Sequence, residues 1–364
     1  MALKLSIVIP VYNAARFLES CFACLGRQGL HPGEWEVIAV DDGSTDDSPS
    51  LLDARAGQVD WLSVVHQDNQ GAGVARNRGL GMARGEYVYF FDVDDALAEG
   101  SLRALLDRCV DESLDVLFFG GKLAYESPEV EREHPQDPRY FERRQTPGVV
   151  SGEDMFVAQQ RDGNYCGQPC LLMVRRQFAL ENDIRFAEGI INEDNLYVIR
   201  ATLRAQRADV DQGLYYTYNV RGGTVTTDNA KGARRFLAHL VLAQEFELER
   251  LRALGRGRYD VADKLDPLVN WYLDIVIENC PEDLSEAHGL GSGTLQPIVA
   301  AARLAQRVVA AHAEGRKLKE ELTEQSLRLE KAERELQEIE QSTTWKIGSA
   351  ITAIPRAIKD GARR

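Results

Sequence analysis

Four short, nearly unbroken apolar runs, LSIVIPV, VIAV, LSVV and YVYFF, punctuate the first hundred residues. A strand with one face in water alternates apolar and polar residues, whereas a run without alternation is buried on both faces. That is the condition of a strand inside a parallel sheet covered by helices. The segments between the runs have helical character. Phe17, Leu18, Cys21, Phe22 and Leu25 recur at helical spacing, predicting a helix over 14–25. A second helix is expected to start in the Asp46–Ser50 cluster, whose short polar side chains cap free N–H groups, and GAGVARNRGLGMARG is read as a third. The order β-α-β-α-β-α-β predicts an α/β fold with a parallel, doubly wound sheet.

Beyond the fourth run, a helix is expected near 99–110, followed by the strand DVLFFGG. The polar segment 126–148 carries Pro128, Pro135, Pro138 and Pro147 and reads as an irregular insertion, a candidate for shaping a second-substrate side. Residues 150–230 mix short helices and strands, and 234–314 read as a helical appendage. Leu318, Leu322, Gln325, Leu329, Ala332, Leu336 and Ile339 then follow at spacings of 4, 3, 4, 3, 4 and 3. This heptad seam predicts either a coiled coil joining copies of the chain or one amphipathic helix packed on its own domain. Residues 345–364 interleave Trp345, Ile347, Ile351, Ile354 and Ile358 with five basic residues against one acid. Such a tail suits the anionic inner leaflet of a membrane, or else its isoleucines cover the appendage. The expected division is 1–230, 231–316, 317–344 and 345–364.

With 364 residues and a net charge of −14, the chain lacks the basic footprint of a nucleic-acid binder. Its six cysteines form no disulfide framework, and with no secretory signal they are expected to be reduced, in the cytoplasm. Cys21 and Cys24 form a C-x-x-C, but no second pair completes a zinc site, so both are assigned to the core. No apolar run reaches the ~18 residues of a membrane span.

Acids end the strand-like runs: Asp41–Asp42 after the second and Asp92-Val93-Asp94-Asp95 after the fourth, with Glu193–Asp194 further on. Ligands of open α/β sheets bind at the carboxyl ends of strands. Carboxylates gathered there repel one another and any anionic substrate, and Mg²⁺ or Mn²⁺, which take hard oxygen ligands and phosphates, relieve both. His66 shows no partner in the sequence and is read as packing. The row Tyr215, Tyr216, Tyr218 is read as a strand with aromatic faces, and His239 as ordinary.

The runs IPVYNAARFLESCFACLGRQ, EVIAVDDGSTDDS and HQDNQGAGVARNRGLGMARGEYVYFFDVDD, in that order, resemble the N-terminal signature of family 2 glycosyltransferases. The likeness is dense over 4–100 and continues weakly through GIINEDN to YNVRGGTVTT. It implies the GT-A fold, with a mostly parallel central sheet, and transfer of sugar from a nucleotide-diphosphosugar, of UDP type, to a hydroxyl of a glycan or lipid-linked glycan. It also implies roles for residues. Pro10, Tyr12 and Asn13 pack around the base, and Asp41 or Asp42 accepts the uracil N–H. Arg76 lies beside base and diphosphate, while Asn77 and Gly79 shape the start of that helix. Asp92 and Asp94 form the D-x-D motif that holds the metal, extended by Asp95. In Glu193–Asp194, Asp194 is the general base of an inverting transfer, and Arg221 and Thr224 lie in a loop closing over the diphosphate. A sugar nucleotidyltransferase would carry a G-x-G-T-R-type loop after the first strand, where IPVYN stands.

Overall fold

The computed structural model describes residues 3–144, 148–222, 233–278, 317, 321, 323–332, 334 and 335. The expected alternation appears as β1 (Leu5–Val11), α1 (Ala15–Leu25), β2 (Trp35–Asp42), α2 (Ser48–Ala56), β3 (Leu62–Gln67), α3 (Ala72–Met82) and β4 (Tyr87–Phe90). After these come β5 (Ala96–Leu97), α4 (Ser101–Asp111), β6 (Val116–Tyr125), α5 (Pro128–Glu133) and a 3-10 turn at Pro138–Phe141. Next are α6 (Gly152–Arg161), a 3-10 turn at Pro169–Leu171, β7 (Leu172–Arg175), α7 (Arg176–Glu181), α8 (Glu193–Arg204) and β8 (Ala208–Val220). Two long helices, α9 (Ala233–Gly255) and α10 (Tyr259–Glu278), close the series.

The strands form one sheet in the order β3-β2-β1-β4-β7-β6-β8-β5. The first four are mutually parallel; β1, β2 and β4 are buried along nearly their whole length, whereas β3, at the sheet edge, buries only Leu62. The other half is mixed. β7 runs antiparallel to both β4 and β6, and β5 antiparallel to β8, while β6 and β8 are parallel, in keeping with the expected mostly parallel sheet. After β1 the chain winds outward through β2 and β3, then returns to the other flank of β1 as β4. Strand order reverses at β1/β4, the place where such sheets bind ligands.

Alternation along β1 separates the two cores. Leu5, Ile7 and Ile9 pack beneath α1 and α4 with Leu18, Phe22, Leu102 and Leu105, and Cys21 and Cys24 lie in that cluster. Val8 packs on the other face with Leu80, Phe90, Phe186 and Tyr197. There α3 crosses the sheet so closely that a Cβ on Gly79 would lie 2.3 Å from Val8 Cγ1. A third cluster joins Leu196, Ile199 and Leu203 of α8 to Leu242 and Phe246 of α9 and Leu265 and Tyr272 of α10.

The chain divides into two compact units, Met1–Ala287 and His288–Arg364. In the second, residues 323–332 are helical and Leu329, a seam residue, is 61% exposed. Leu318, Leu322, Leu336, Ile339 and the whole of 345–364 lie outside the described residues. Among the described residues no helix is long and apolar enough to cross a membrane.

Candidate active site

Loops from the carboxyl ends of β1 and β2 are tied together by short polar side chains. Asn13, in left-handed conformation at φ 48°, donates its N–H to Ser44 Oγ (2.9 Å), and its Oδ1 accepts from the Thr45 N–H (2.8 Å). Tyr12 beside it is 52% exposed, and Pro10 is partly buried. Asp42 accepts from the N–H groups of Gln70 and Gly71 and from Gln67 Nε2, each at 2.8 Å, which fixes the turn into α3. Asp41 accepts from the Ser44 N–H at 3.1 Å, and its Oδ2 lies 2.8 Å from His66 Nδ1. The other ring nitrogen of His66 meets Asp53 at 3.2 Å. His66, partnerless in the sequence, therefore has two carboxylate partners. Its bonds to Asp41 and then Asp53 raise its pKa against a smaller effect of burial. Adjacent to it is an open cleft of about 490 Å³ lined by His66, Gln67, Asp68, Gln70 and Arg78.

Arg76, on α3, is the hub of the site. Its Nη2 donates to Asp92 Oδ1 at 2.9 Å, and its Nη1 to Asp194 Oδ1 at 2.9 Å and Glu193 Oε1 at 3.4 Å. The side chain is 6% exposed. One guanidinium thus joins the D-x-D segment to an acidic pair more than a hundred residues away. The resemblance places Arg76 beside the base and diphosphate. In the structure its two terminal nitrogens are taken by carboxylates, while its buried Nε has no partner. Burial opposes its charge, and Asp194 and Asp92 more than offset that, so its pKa is raised.

Glu193 and Asp194 open α8, where the positive end of the helix favours acids. Burial raises the pKa of both, against the pull of Arg76. The residue before them, Asn192, is left-handed at φ 60°, and its side-chain amide donates to His239 Nε2 at 3.2 Å. Because His239 Nδ1 donates to the Arg235 carbonyl at 2.7 Å, its Nε2 is the bare acceptor. Burial lowers the His239 pKa, which keeps that tautomer. Asn77 is equally structural. Its amide accepts from the Phe186 N–H and donates to the Phe186 carbonyl, both at 2.9 Å, stapling α3 to the segment that leads to the acidic pair. No sequence signal points to His239 or to the Phe186 contact, since neither lies near its partner along the chain.

The D-x-D acids diverge. Asp94 pairs with Arg221 Nη1 at 2.7 Å, and that guanidinium lies over the Phe17 ring, 4.5 Å from its centre. Burial and then Asp92 raise the Asp94 pKa, with Arg221 opposing. Asp95 turns inward instead, accepting from the Tyr216 hydroxyl and from the Asn219 N–H (2.8 Å). Cys170 Sγ lies 3.2 Å from Asp92 Oδ2. Tyr216, read from the sequence only as part of an aromatic strand, and Cys170, not singled out there, reach the site from β8 and the turn before β7, whose placement is not local. Thr224 lies outside the described residues.

Among the described residues, no three His, Cys, Asp or Glu side chains are grouped to enclose a metal. Of the three acids assigned to a metal, Asp95 has both oxygens accepting hydrogen bonds from β8. Asp92 and Asp94 still suit a divalent ion that takes most of its ligands from a diphosphate and water. Four carboxylates, Asp92, Asp94, Glu193 and Asp194, face two guanidinium groups, so further positive charge fits the donor set.

Residues 6–163 match the model of glycosyl transferase family 2. That span holds Asp41, Arg76 and the D-x-D acids, with Glu193, Asp194 and Arg221 beyond it. The glycosyltransferase YibD of Escherichia coli (strain K12) is 29% identical over 266 residues, 72% of this chain and 73% of its own. The poly(ribitol-phosphate) beta-glucosyltransferase of Bacillus spizizenii is 26% identical over 68% of this chain and 38% of its own. Residues 1-349 of S. aureus TarS, solved in complex with UDP-GlcNAc, align with a TM-score of 0.55 at 24% identity, over 67% of this chain and 66% of that one. At that identity the likeness speaks for the fold, which is GT-A.

Proposed function

We propose that the chain is a glycosyltransferase of family 2 that transfers a sugar from a UDP-sugar to a hydroxyl of a glycan or lipid-linked glycan, with inversion, in cell-surface polysaccharide synthesis. The observation that carries this reading is the Arg76 fork, which holds Asp92 and Asp194 to one guanidinium at 2.9 Å each. Sugar transfer needs a place for the diphosphate beside a group that accepts a proton. The complex of TarS with UDP-GlcNAc supports the choice of nucleotide.

In this reading the base lies over the ends of β1 and β2. Asp41, with one protein donor on each oxygen, keeps lone pairs for a ring N–H, whereas Asp42 already accepts three bonds. Asp92 and Asp94 would hold Mg²⁺ or Mn²⁺, which when bound would stabilise negative charge on the leaving diphosphate. Arg221, propped on Phe17 next to Asp94, is a positioned donor for the same charge. Asp194 accepts the proton of the attacking hydroxyl. Its burial favours taking up a proton, and Arg76 keeps it ionised until then. Attack from the side opposite the leaving group inverts the anomeric centre.

The seam at 318–339 and the basic tail at 345–364 belong to the same proposal. Self-association through the seam, and attachment of the tail to an anionic inner leaflet, would hold the enzyme beside a lipid-linked acceptor.

UDP release from UDP-GlcNAc and UDP-glucose, with and without Mn²⁺, tests the reading. Wild type is expected to release UDP only with metal, and Asp94→Ala to lose Mn²⁺-dependent UDP binding by calorimetry while its melting temperature holds. Binding of UDP and Mn²⁺ by Asp94→Ala like that of wild type would refute the metal assignment.

A further inference from the structure

His66, near the end of β3, stands directly opposite Asp41 in the β2–β3 register. Its Nδ1 lies 2.8 Å from Asp41 Oδ2, and its Nε2 lies 3.2 Å from Oδ1 of Asp53, on α2. An ionised carboxylate only accepts hydrogen bonds, and a neutral imidazole has a single N–H. A ring with a carboxylate at each nitrogen serves both only as the imidazolium, donating twice. The two acids differ in what they need from it. The Asp53 side chain is 66% exposed and has water, whereas that of Asp41 is 4% exposed. Among the described residues, His66 is the one cation paired with Asp41. Arg78, which lines the cleft beside His66, donates to Gln67 Oε1 at 3.3 Å instead.

These bonds fix the plane of the Asp41 carboxylate. Its Oδ1 accepts from the Ser44 N–H at 3.1 Å, and Ser44 Oγ in turn holds the Asn13 N–H beside the exposed Tyr12. Its Oδ2 is held by His66, which Asp53 anchors to α2. With one donor on each oxygen, from two different elements, the carboxylate cannot turn about its Cβ–Cγ bond without breaking one of them. Its remaining lone pairs therefore keep one direction. Without His66, Oδ2 is left unpaired where there is little water. An unmade hydrogen bond is costly there, so the carboxylate turns to find another donor.

We propose that His66, braced by Asp53, is a positioning residue that sets the base specificity of the donor site, holding Asp41 so that its free lone pairs accept the ring N–H of uracil and reject cytosine. This rests on the reading above in which Asp41 meets the base. Uracil carries an N–H at the ring position where cytosine has a bare acceptor. A fixed carboxylate gains a hydrogen bond with the first and sets lone pair against lone pair with the second. A carboxylate free to turn avoids that clash and loses the distinction. Sites built to bond a substrate N–H reject the analogue that lacks it far more strongly than shape alone does.

Calorimetric titration of the full chain with UDP and with CDP, both with Mn²⁺, tests it. The ratio of the two dissociation constants reads the base alone, because ribose, diphosphate and metal are common to both. Wild type is expected to favour UDP at least about tenfold. His66→Ala should cut that ratio about five- to tenfold, while His66→Asn, whose amide nitrogen takes the place of Nδ1, should hold it within about threefold of wild type. A merely structural role would weaken both nucleotides together and leave the ratio unmoved. If His66→Ala does not fold, His66→Phe, which keeps a ring and removes both ring nitrogens, takes its place. Asp41→Asn tests the reading underneath. A wild type without preference, or an Asp41→Asn variant that keeps it, refutes contact of Asp41 with the base and this proposal with it. A preference lost in Asp41→Asn but unchanged in His66→Ala or His66→Phe overturns the role of His66 and leaves the donor reading standing. So does a ratio in His66→Asn no better than in His66→Ala.

Discussion

Replacing Arg76 by methionine keeps most of the side chain's volume and removes its charge. The guanidinium is 6% exposed and its partners Asp92, Glu193 and Asp194 are 26%, 14% and 27% exposed, so their carboxylates lose their cation in a poorly solvated place. Breaking a buried ion pair from one side costs about 3–5 kcal/mol. Partial exposure of the acids puts Arg76→Met near the lower end, about 3 kcal/mol. At about 2–4 °C per kcal/mol for a domain of this order, the melting temperature should fall by about 6–12 °C at pH 8. The pH dependence follows from the direction of the shifts. Glu193 and Asp194 already have folded-state pKa values raised above their ordinary ones, and loss of Arg76 raises them further. An acid with a raised folded pKa binds protons more tightly in the native state, so the stability it contributes is lost as pH rises through that pKa. The gap between Arg76→Met and wild type should therefore be widest at pH 8 and narrow toward pH 5. Circular-dichroism melts at the two pH values measure it. A shift under about 2 °C at pH 8, or a gap equal at both, would refute the assignment of Arg76 as the electrostatic hub.

Asp194→Asn keeps shape but not proton acceptance. Turnover of UDP-sugar should fall ~10²–10⁴-fold with UDP affinity within about threefold of wild type, and near-normal steady-state turnover would remove Asp194 as the base. Asn77→Ala leaves the Phe186 N–H and carbonyl without their partner, and urea unfolding should show a loss of about 2–4 kcal/mol; a loss below about 1 kcal/mol would mean that water or another donor replaces the staple. Deletion of 317–364 should lower the oligomer order seen in sedimentation, and an unchanged state would count against the seam. Deletion of 345–364 alone should abolish salt-sensitive pelleting with anionic liposomes, and equal pelleting would assign binding elsewhere.

Several features were legible along the chain. Continuous burial in LSIVIPV, VIAV and YVYFF identified parallel strands, and the acids that end them fell at the strand ends where an α/β sheet binds ligands. These are properties of windows of ten to twenty residues, within which hydrophobic period and turn chemistry act directly. The acids Asp41, Asp42, Asp92 and Asp94 were found for the same reason, and Arg76 through the resemblance alone. Their division of labour was not. Asp95 is adjacent to Asp94 and chemically identical, yet it turns to Tyr216 while Asp94 turns to Arg221. β7 enters between β4 and β6 against the parallel grain, and its position brings Cys170 to Asp92. His66 finds Asp41 and Asp53 only when β3 pairs with β2. Arg76 finds Asp194, 118 residues along the chain, only when α3 and α8 cover the same face of the sheet. Backbone preference and burial are written into local sequence because a strand or a helix senses its own neighbours. Which carboxylate is desolvated, which is paired and which stays open to a ligand depends on charges and apolar walls brought together by packing over long separations, and that only the tertiary structure decides.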